Sequence, residues 1–299
     1  MIIKQEEGEK MIIVITGPTG VGKTKMSVEL AKRINAEIIN GDSMQVYKGL
    51  DIATAKIKES EKEGISHHLF DIVDNTYNYS VYDYQKDCRE KILELQNKNK
   101  NIIIVGGTGL YIKAALYNYN FNKEDVTYDF SNMTNKEMYE EIIKNNSDID
   151  IHINNRKRLE RELTKIKNNT TSDGKGNEIL YPFTIIGLTT DRENLYNRIN
   201  SRVDKMIKEG LLEEAKSLYD NNIHSKAINT GIGYKELYKY FDGEITKEEA
   251  IDLIKKNSRH YAKRQYTFFN NQFDMNWFTV DYNNFSKTIE EVYNFIKEE

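Results

Sequence analysis

The sequence predicts an α/β fold, a doubly wound parallel sheet with an inserted all-helical domain. Three observations support this prediction. Short apolar runs alternate with segments of helical period, one polar stretch interrupts this alternation, and 299 residues are enough for about two domains. Parallel strands buried on both faces appear in a sequence as unbroken apolar runs, and helices connect them across the sheet.

The predicted strands are the four apolar runs Met11–Ile15, Glu37–Ile39, Ile102–Val105 and Phe183–Leu188. The segments around them repeat apolar residues with the period of an amphipathic helix, as Met26, Leu30 and Ile34 do in the first segment. The predicted helices of the core are Gly22–Ile34, Val81–Leu95, Arg192–Glu209, Leu211–Asn221, Lys247–Asn270 and Phe285–Lys297.

Residues 119–182 interrupt the alternation of strands and helices. This stretch is polar and rich in Asn, Lys and Glu, shows helical segments without a strand, and ends in a loop at Thr170–Asn177. We therefore expect a core domain formed by residues 1–118 and 183–299, and a helical insertion domain formed by residues 119–182.

Composition restricts the class of protein. Charged residues make up 30% of the chain and its net charge is −4, which is typical of a polar globular protein. The apolar runs are far shorter than the roughly 20 residues of a membrane helix, and the first ten residues lack the apolar core of a signal peptide. Cys88 is the only cysteine, which excludes an intramolecular disulfide. We expect a cytoplasmic monomer without a membrane segment.

A complete G-x-x-x-x-G-K-T motif follows the first predicted strand and opens the first predicted helix, which is the context of a P-loop. Its glycines let backbone N–H groups surround phosphate oxygens, while the lysine adds charge and the threonine hydroxyl can bind Mg²⁺. The motif predicts a P-loop NTPase-like core that binds a phosphorylated ligand with Mg²⁺. The motif residues are Gly17, Pro18, Thr19, Gly20, Val21, Gly22, Lys23 and Thr24.

Two further loops follow predicted strands and are expected at the same edge of the sheet as the P-loop. Asp42 follows the second strand, where its carboxylate could hold Mg²⁺ through water, act as a general base or cap a turn. Ser43 and Gln45 beside it carry donors and acceptors that suit a base edge. Thr108 lies in a Gly-rich turn after the third strand, and such turns also serve packing.

Two segments are basic although the chain as a whole is acidic. His152–Lys167 contains six Lys and Arg residues against two Glu, and Lys255–Arg264 contains five without any acid. Such segments form either a face that binds nucleic acid or the solvated face of a helix.

Several sequence blocks follow one another along the chain, namely Gly17–Thr19, Asp42–Lys56, His67–Asp71, Gly106–Tyr111, Arg198–Leu211, Gly231–Glu236 and Tyr261–Gln265. In these blocks and in their order, the chain resembles the tRNA dimethylallyltransferase (tRNA isopentenyltransferase) family over about residues 11 to 270. Within the insertion the chain departs from the family pattern, because Ile153 and Asn155 stand where Pro and Asp are usual.

The resemblance implies transfer of the dimethylallyl group from dimethylallyl diphosphate to N6 of the adenosine at tRNA position 37, just 3′ of the anticodon. It implies that the P-loop holds the diphosphate, with Mg²⁺ at Thr24. Asp42 would be the general base on N6, with Thr108 close to the adenine, and Arg202 would join Lys23 on the diphosphate. The implied tRNA-binding residues are Asp42, Ser43, Met44, Gln45, Lys157, Arg158, Arg161, Lys263, Arg264 and Gln265.

Other functions stay open at this point. A P-loop kinase of a small metabolite or nucleotide would transfer a phosphoryl group, but it gives no role to the blocks Asp42–Gln45 and Gly231–Glu236. A non-catalytic module would bind a nucleotide without turnover. Within prenyl transfer, AMP or ATP could replace tRNA as the acceptor, although the basic segments favour a macromolecule.

Overall fold

The computed structural model describes residues 10–121, 128–145, 149–168 and 176–298. Its strands β1 to β6 are Ile12–Thr16, Ala36–Asn40, His67–His68, Asn101–Val105, Thr184–Thr189 and Asn276–Thr279. Its helices α1 to α12 are Lys23–Ile34, Glu59–Lys62, Val81–Asn97, Gly109–Leu116, Asn135–Asn145, Arg156–Lys167, Arg192–Lys208, Leu211–Asp220, Lys226–Thr230, Tyr234–Phe241, Lys247–Gln272 and Phe285–Glu298.

The six strands form one parallel sheet in the order β3-β2-β4-β1-β5-β6. β1 lies inside the sheet, where Ile13 pairs with Ile103 of β4 on one side and with Thr184 of β5 on the other. All five residues of β1 are buried, so both faces of the sheet are covered. This architecture confirms the predicted α/β fold, and it places the carboxyl ends of β2, β4 and β1 side by side.

The sequence pattern located four of the six strands, with ends within one residue of β1, β2, β4 and β5. It missed β3, because a strand of two histidines has no apolar run, and β6, whose residues are only partly buried. The six predicted core helices are confirmed as α1, α3, α7, α8, α11 and α12. Four others in the core were missed, namely α2, α4, α9 and α10, none of which is longer than eight residues.

One hydrophobic core lies between the sheet and the helices α1 and α12. Ile13 and Ile15 of β1 project into it and meet Leu30 of α1, while Val292 and Ile296 come from α12. Since side chains alternate along a strand, the buried residues between them face the opposite side of the sheet. The sheet is therefore a rigid support for the loops at its carboxyl edge.

The chain divides into two compact units, one formed by the residues up to Leu116 and from Tyr181 on, the other by Tyr117–Leu180. The predicted boundaries at 118/119 and 182/183 lie two residues further along the chain. In the second unit α5 and α6 pack around Met138, Ile142 and Leu159. An isolated antiparallel bridge joins Tyr117 to Ile179, and most of the predicted loop Thr170–Asn177 lies outside the described residues. None of the described helices is long and apolar enough to cross a membrane.

Candidate active site

The P-loop begins where β1 ends. Gly17 has a φ of 138°, and a Cβ there would lie 2.4 Å from the carbonyl oxygen of Leu188 on β5, so glycine is required. Lys23 opens α1, and its Nζ donates to the carbonyl oxygens of Gly17 and Pro18 at 2.9 and 3.0 Å. The ammonium group thus lies over the loop, close to the N–H groups that a helix start leaves without partners.

Arg198 of α7 holds the tip of the P-loop. Its Nε donates to the carbonyl oxygen of Gly20 at 3.0 Å. Its guanidinium carbon lies 3.8 Å from the centroid of the Tyr282 ring, a cation–π contact that fixes the side chain. The sequence alone does not predict this role of Arg198, because a helical arginine carries no sign of the loop that it contacts.

The loop after β2 presents Asp42 in a fixed orientation. Asn40, which is fully buried, accepts a hydrogen bond from the N–H of Asp42 and donates from Nδ2 to the carbonyl oxygens of Asp42 and Leu69, all at 2.9 to 3.0 Å. The Asp42 carboxylate accepts the N–H of Met44 at 2.9 Å. Asn40 is thus a positioning residue that sequence reasoning missed, although a polar side chain at the end of a buried strand was a signal for it.

Thr108 ties the loop after β4 to the loop after β2. Its hydroxyl accepts the N–H of Ser43 at 3.0 Å and donates to the Ser43 hydroxyl at 3.2 Å. Its own N–H donates to the carbonyl oxygen of Gly41 at 3.1 Å. The structure therefore brings Thr108 to the Asp42 loop as predicted, and shows its hydroxyl bonded within the protein.

Two cavities adjoin at Asp42. The larger, of about 920 Å³, is lined by P-loop residues that include Lys23 and Thr24. The smaller, of about 270 Å³, is lined by Met44, Gly231 and others. Asp42 therefore faces both spaces at once, the geometry that a group acting between two bound molecules needs. The residues that line both cavities are Thr19, Asp42, Thr54, Arg202 and Tyr261.

The charged groups where the two cavities adjoin shift one another's pKa values. Burial, and after it the Arg202 guanidinium, lower the pKa of Lys23 to about 7, while the charge of Asp42 opposes this shift. Burial raises the pKa of Asp42, against the Met44 N–H and the charges of Lys23 and Arg202. Asp42 is thus a stronger proton acceptor than an exposed aspartate, and Lys23 gives up its proton unusually easily.

Tyr261 and Gln265 of α11 line the larger cavity. Burial and the nearby charge of Asp42 raise the pKa of Tyr261, so its hydroxyl stays protonated. Gln265 is only 4% exposed, accepts the N–H of Thr19 at 3.2 Å and donates to the carbonyl oxygen of Gly107 at 3.1 Å. The structure thus shows Gln265 as a bridge between two loops at the wall of the larger cavity, and its role in binding tRNA stays a prediction.

The other predicted tRNA-binding residues fall into separate places. Lys263 and Arg264 are exposed on α11, and Arg264 also lines the smaller cavity. In the second unit Lys157, Arg158 and Arg161 are exposed on α6.

Other basic residues of the two basic segments are buried or make contacts within the protein, so they are not available to bind RNA. Arg156 donates to the carbonyl oxygens of Phe130 and Met133, Lys165 is 8% exposed, and Lys255 pairs with Asp204.

The residues that could bind Mg²⁺ are few. Within the described part of the chain no group of three His, Cys, Asp or Glu residues could hold a metal ion. Thr24 and Asp42 line the same cavity, however, and offer a hydroxyl and a carboxylate. Mg²⁺ in proteins commonly takes one or two side chains, several waters and the oxygens of a bound phosphate. This donor set therefore fits Mg²⁺ that binds together with a phosphorylated ligand.

Comparison with known proteins gives consistent results. The family model described as IPP transferase matches residues 45–272. A tRNA dimethylallyltransferase of Bacillus licheniformis is 48% identical over 284 residues, which cover 90% of each chain. The structure of the full-length tRNA isopentenylpyrophosphate transferase from Bacillus halodurans is 42% identical with a TM-score of 0.75, covering 97% of this chain and 96% of its own. A eukaryotic dimethylallyltransferase acting on tRNA is 28% identical with a TM-score of 0.76, covering 97% and 80%.

The fold and the site together define an α/β enzyme of the P-loop NTPase-like class, with a half-buried carboxylate between the cavity that the P-loop lines and a second cavity. The chain belongs to the tRNA dimethylallyltransferase family, which is a family of prenyl transferases. These comparisons support the prenyl transferase and not the kinase that the P-loop alone allows.

Proposed function

We propose that this enzyme transfers the dimethylallyl group of dimethylallyl diphosphate to N6 of the adenosine at position 37 of a tRNA. The observation that carries the proposal is the place of Asp42, which lies where the P-loop cavity adjoins the second cavity. A donor held by the P-loop and an adenine in the smaller cavity would meet at this carboxylate.

The larger cavity would hold the donor through its diphosphate. The P-loop from Gly17 to Thr24 supplies N–H groups, and Lys23 and Arg202 supply charge where the leaving group becomes more negative. Thr24 would hold Mg²⁺, which when bound neutralises charge on the departing diphosphate. Arg198 keeps the loop in shape through Gly20.

Asp42 would act as the general base. As the C–N bond forms, the C–O bond between the prenyl carbon and the diphosphate breaks, and the diphosphate leaves with the electron pair. The proton of N6 passes to the Asp42 carboxylate, whose pKa is raised by burial. Because Asn40 bonds both the N–H and the carbonyl of Asp42, the base needs little reorganisation.

The acceptor side would select adenine. Gln45 donates from Nε2 to the carbonyl oxygen of Thr54 at 2.9 Å, which turns its Oε1 away from that carbonyl. An amide can pair with adenine through one acceptor and one donor. We propose that Gln45, which lines the larger cavity, reads the base where the two cavities adjoin, together with Ser43 and Met44 of the smaller cavity. The base must leave the loop stack to enter this space.

The exposed cations would bind the RNA backbone. Lys263 and Arg264 lie on α11, where Arg264 also lines the smaller cavity, and Lys157, Arg158 and Arg161 lie on α6 of the second unit. The fully buried free thiol of Cys88 fits a reducing compartment, and we propose that the enzyme works in the cytoplasm. The monomeric state stays a prediction.

The test is one incubation of the protein with unmodified tRNA, dimethylallyl diphosphate and Mg²⁺, followed by digestion and mass spectrometry of the nucleosides. We expect adenosine with one added five-carbon unit. A parallel incubation replaces the prenyl donor by ATP. Consumption of ATP without any prenyl adduct would overturn the proposal in favour of a kinase.

A further inference from the structure

The carboxylate of Glu214, which lies outside the two cavities, fixes a turn that forms part of their wall. Glu214 of α8 accepts hydrogen bonds from three successive backbone N–H groups of one turn, those of Asp51, Ile52 and Ala53, at 2.8 to 3.1 Å. Its Oε1 also accepts the hydroxyl of Tyr234 at 2.7 Å. A carboxylate with four donors is suited to this place because it presents acceptors only.

Residues within or just beyond two of the sequence blocks meet at this turn. Glu214 lies three residues beyond the block Arg198–Leu211, and the block Gly231–Glu236 supplies Tyr234. Gly233 has a φ of 105°, and a Cβ there would lie 3.1 Å from the Cβ of Ala53. Glu214 and Gly233 therefore both lie against the turn formed by residues 51–54.

The turn reaches the site through its last residue. Thr54 lines both cavities, Gln45 lines the larger one, and the carbonyl oxygen of Thr54 accepts the Nε2 of Gln45 at 2.9 Å. A shift of the turn would therefore rotate or release the Gln45 amide. The N–H groups that bond to Glu214 belong to the three residues immediately before Thr54. A movement of the turn at Glu214 would therefore be passed on to the contact between Thr54 and Gln45.

We propose that Glu214 is a positioning residue that fixes the amide of Gln45 for pairing with the acceptor base. The proposal rests on the proposed function, in which Gln45 reads adenine. Glu214 touches no substrate in this account. It acts through the turn, and its loss affects the acceptor side while the P-loop, which it does not contact, keeps its donor affinity.

The first experiment compares Glu214→Gln with Glu213→Gln. Glu213 is the exposed neighbour on the same helix, so the control makes the same chemical change one residue away. In Glu214→Gln an NH₂ group faces backbone N–H donors. We expect kcat/KM for an anticodon stem-loop RNA to fall about tenfold or more in Glu214→Gln. The KM for dimethylallyl diphosphate should change less than twofold, and Glu213→Gln should behave as the wild type.

A double-mutant cycle with Gln45→Ala tests whether Glu214 acts through Gln45. We expect Glu214→Gln to cost nothing further once Gln45 is Ala. Independent, multiplied losses, or an equal loss of donor binding, would overturn the proposal. If Gln45→Ala alone leaves RNA kinetics unchanged, adenine reading by Gln45 fails while prenyl transfer stands.

A milder variant guards against misfolding. Tyr234→Phe removes a single hydrogen-bond donor to Glu214. We expect kcat/KM for the RNA to fall about twofold to fivefold, which is the effect of losing roughly one hydrogen bond, while the KM for dimethylallyl diphosphate stays unchanged. Unchanged RNA kinetics in a folded Tyr234→Phe protein, together with an unfolded Glu214→Gln, would assign Glu214 to stability alone.

Discussion

The protonation of Lys23 should make donor binding depend on pH. Burial and Arg202 bring the pKa of Lys23 to about 7 in the free enzyme. A bound diphosphate favours the protonated amine and raises this pKa, so only the protonated enzyme binds well. From pH 6 to pH 8 the protonated fraction falls about tenfold, and the dissociation constant of dimethylallyl diphosphate should rise about tenfold, roughly 1.4 kcal/mol.

The assay is equilibrium binding of dimethylallyl diphosphate without RNA, at fixed free Mg²⁺ and ionic strength, from pH 6 to pH 8.5. The final ionisation of the donor makes it more negative and acts in the opposite direction, so it cannot imitate the effect. Lys23→Arg is the matched control, because an arginine stays protonated throughout. Its affinity should be lower but should not weaken with pH. A wild-type affinity with the same pH dependence as that of Lys23→Arg would refute the shifted pKa.

Three other changes separate the roles within the site. Asp42→Ala should abolish prenylation and leave tRNA affinity nearly intact; equal loss of both would make Asp42 structural. Charge reversal at Arg158 and Arg161 should weaken tRNA binding and flatten its salt dependence, with donor binding unchanged as the internal control. An unaltered tRNA affinity would show that these arginines belong to a solvated helix face and do not bind tRNA. Asn40→Ala leaves buried backbone groups of Asp42 and Leu69 unpaired, at about 1–3 kcal/mol each, and should lower both the melting temperature and kcat. A thermal loss without any change in kcat would show that Asn40 does not position the base.

The sequence predicted the strands and the P-loop that form the site better than the long-range contacts between its loops. Unbroken apolar runs and a complete P-loop motif depend on local rules, so β1, β4 and the start of α1 could be located within a residue. The edge strand β3 consists of two histidines and takes its strand character from pairing with β2, which no local pattern encodes. Tertiary pairing decides such elements.

The same distinction holds for the site residues. Lys23 and Thr24 are recognisable because their neighbours in sequence are their neighbours in the site. Gln265 and Glu214 act on loops that lie 246 and 163 residues away along the chain, and each meets backbone groups that every residue carries. A contact with backbone leaves no signature in the partner's sequence. Only the folded chain shows that Gln265 joins two loops.

The P-loop cannot by itself distinguish phosphoryl transfer from prenyl transfer, and the reason is physical. In both reactions negative charge builds up on diphosphate oxygens, and the same N–H groups, Lys23 and a bound Mg²⁺ would stabilise it. What differs is the atom that is attacked and the group that takes the proton. Here a half-buried carboxylate, held by Asn40, lines a second cavity as well as the first. The loop after β2, more than the P-loop, therefore defines the reaction of this enzyme.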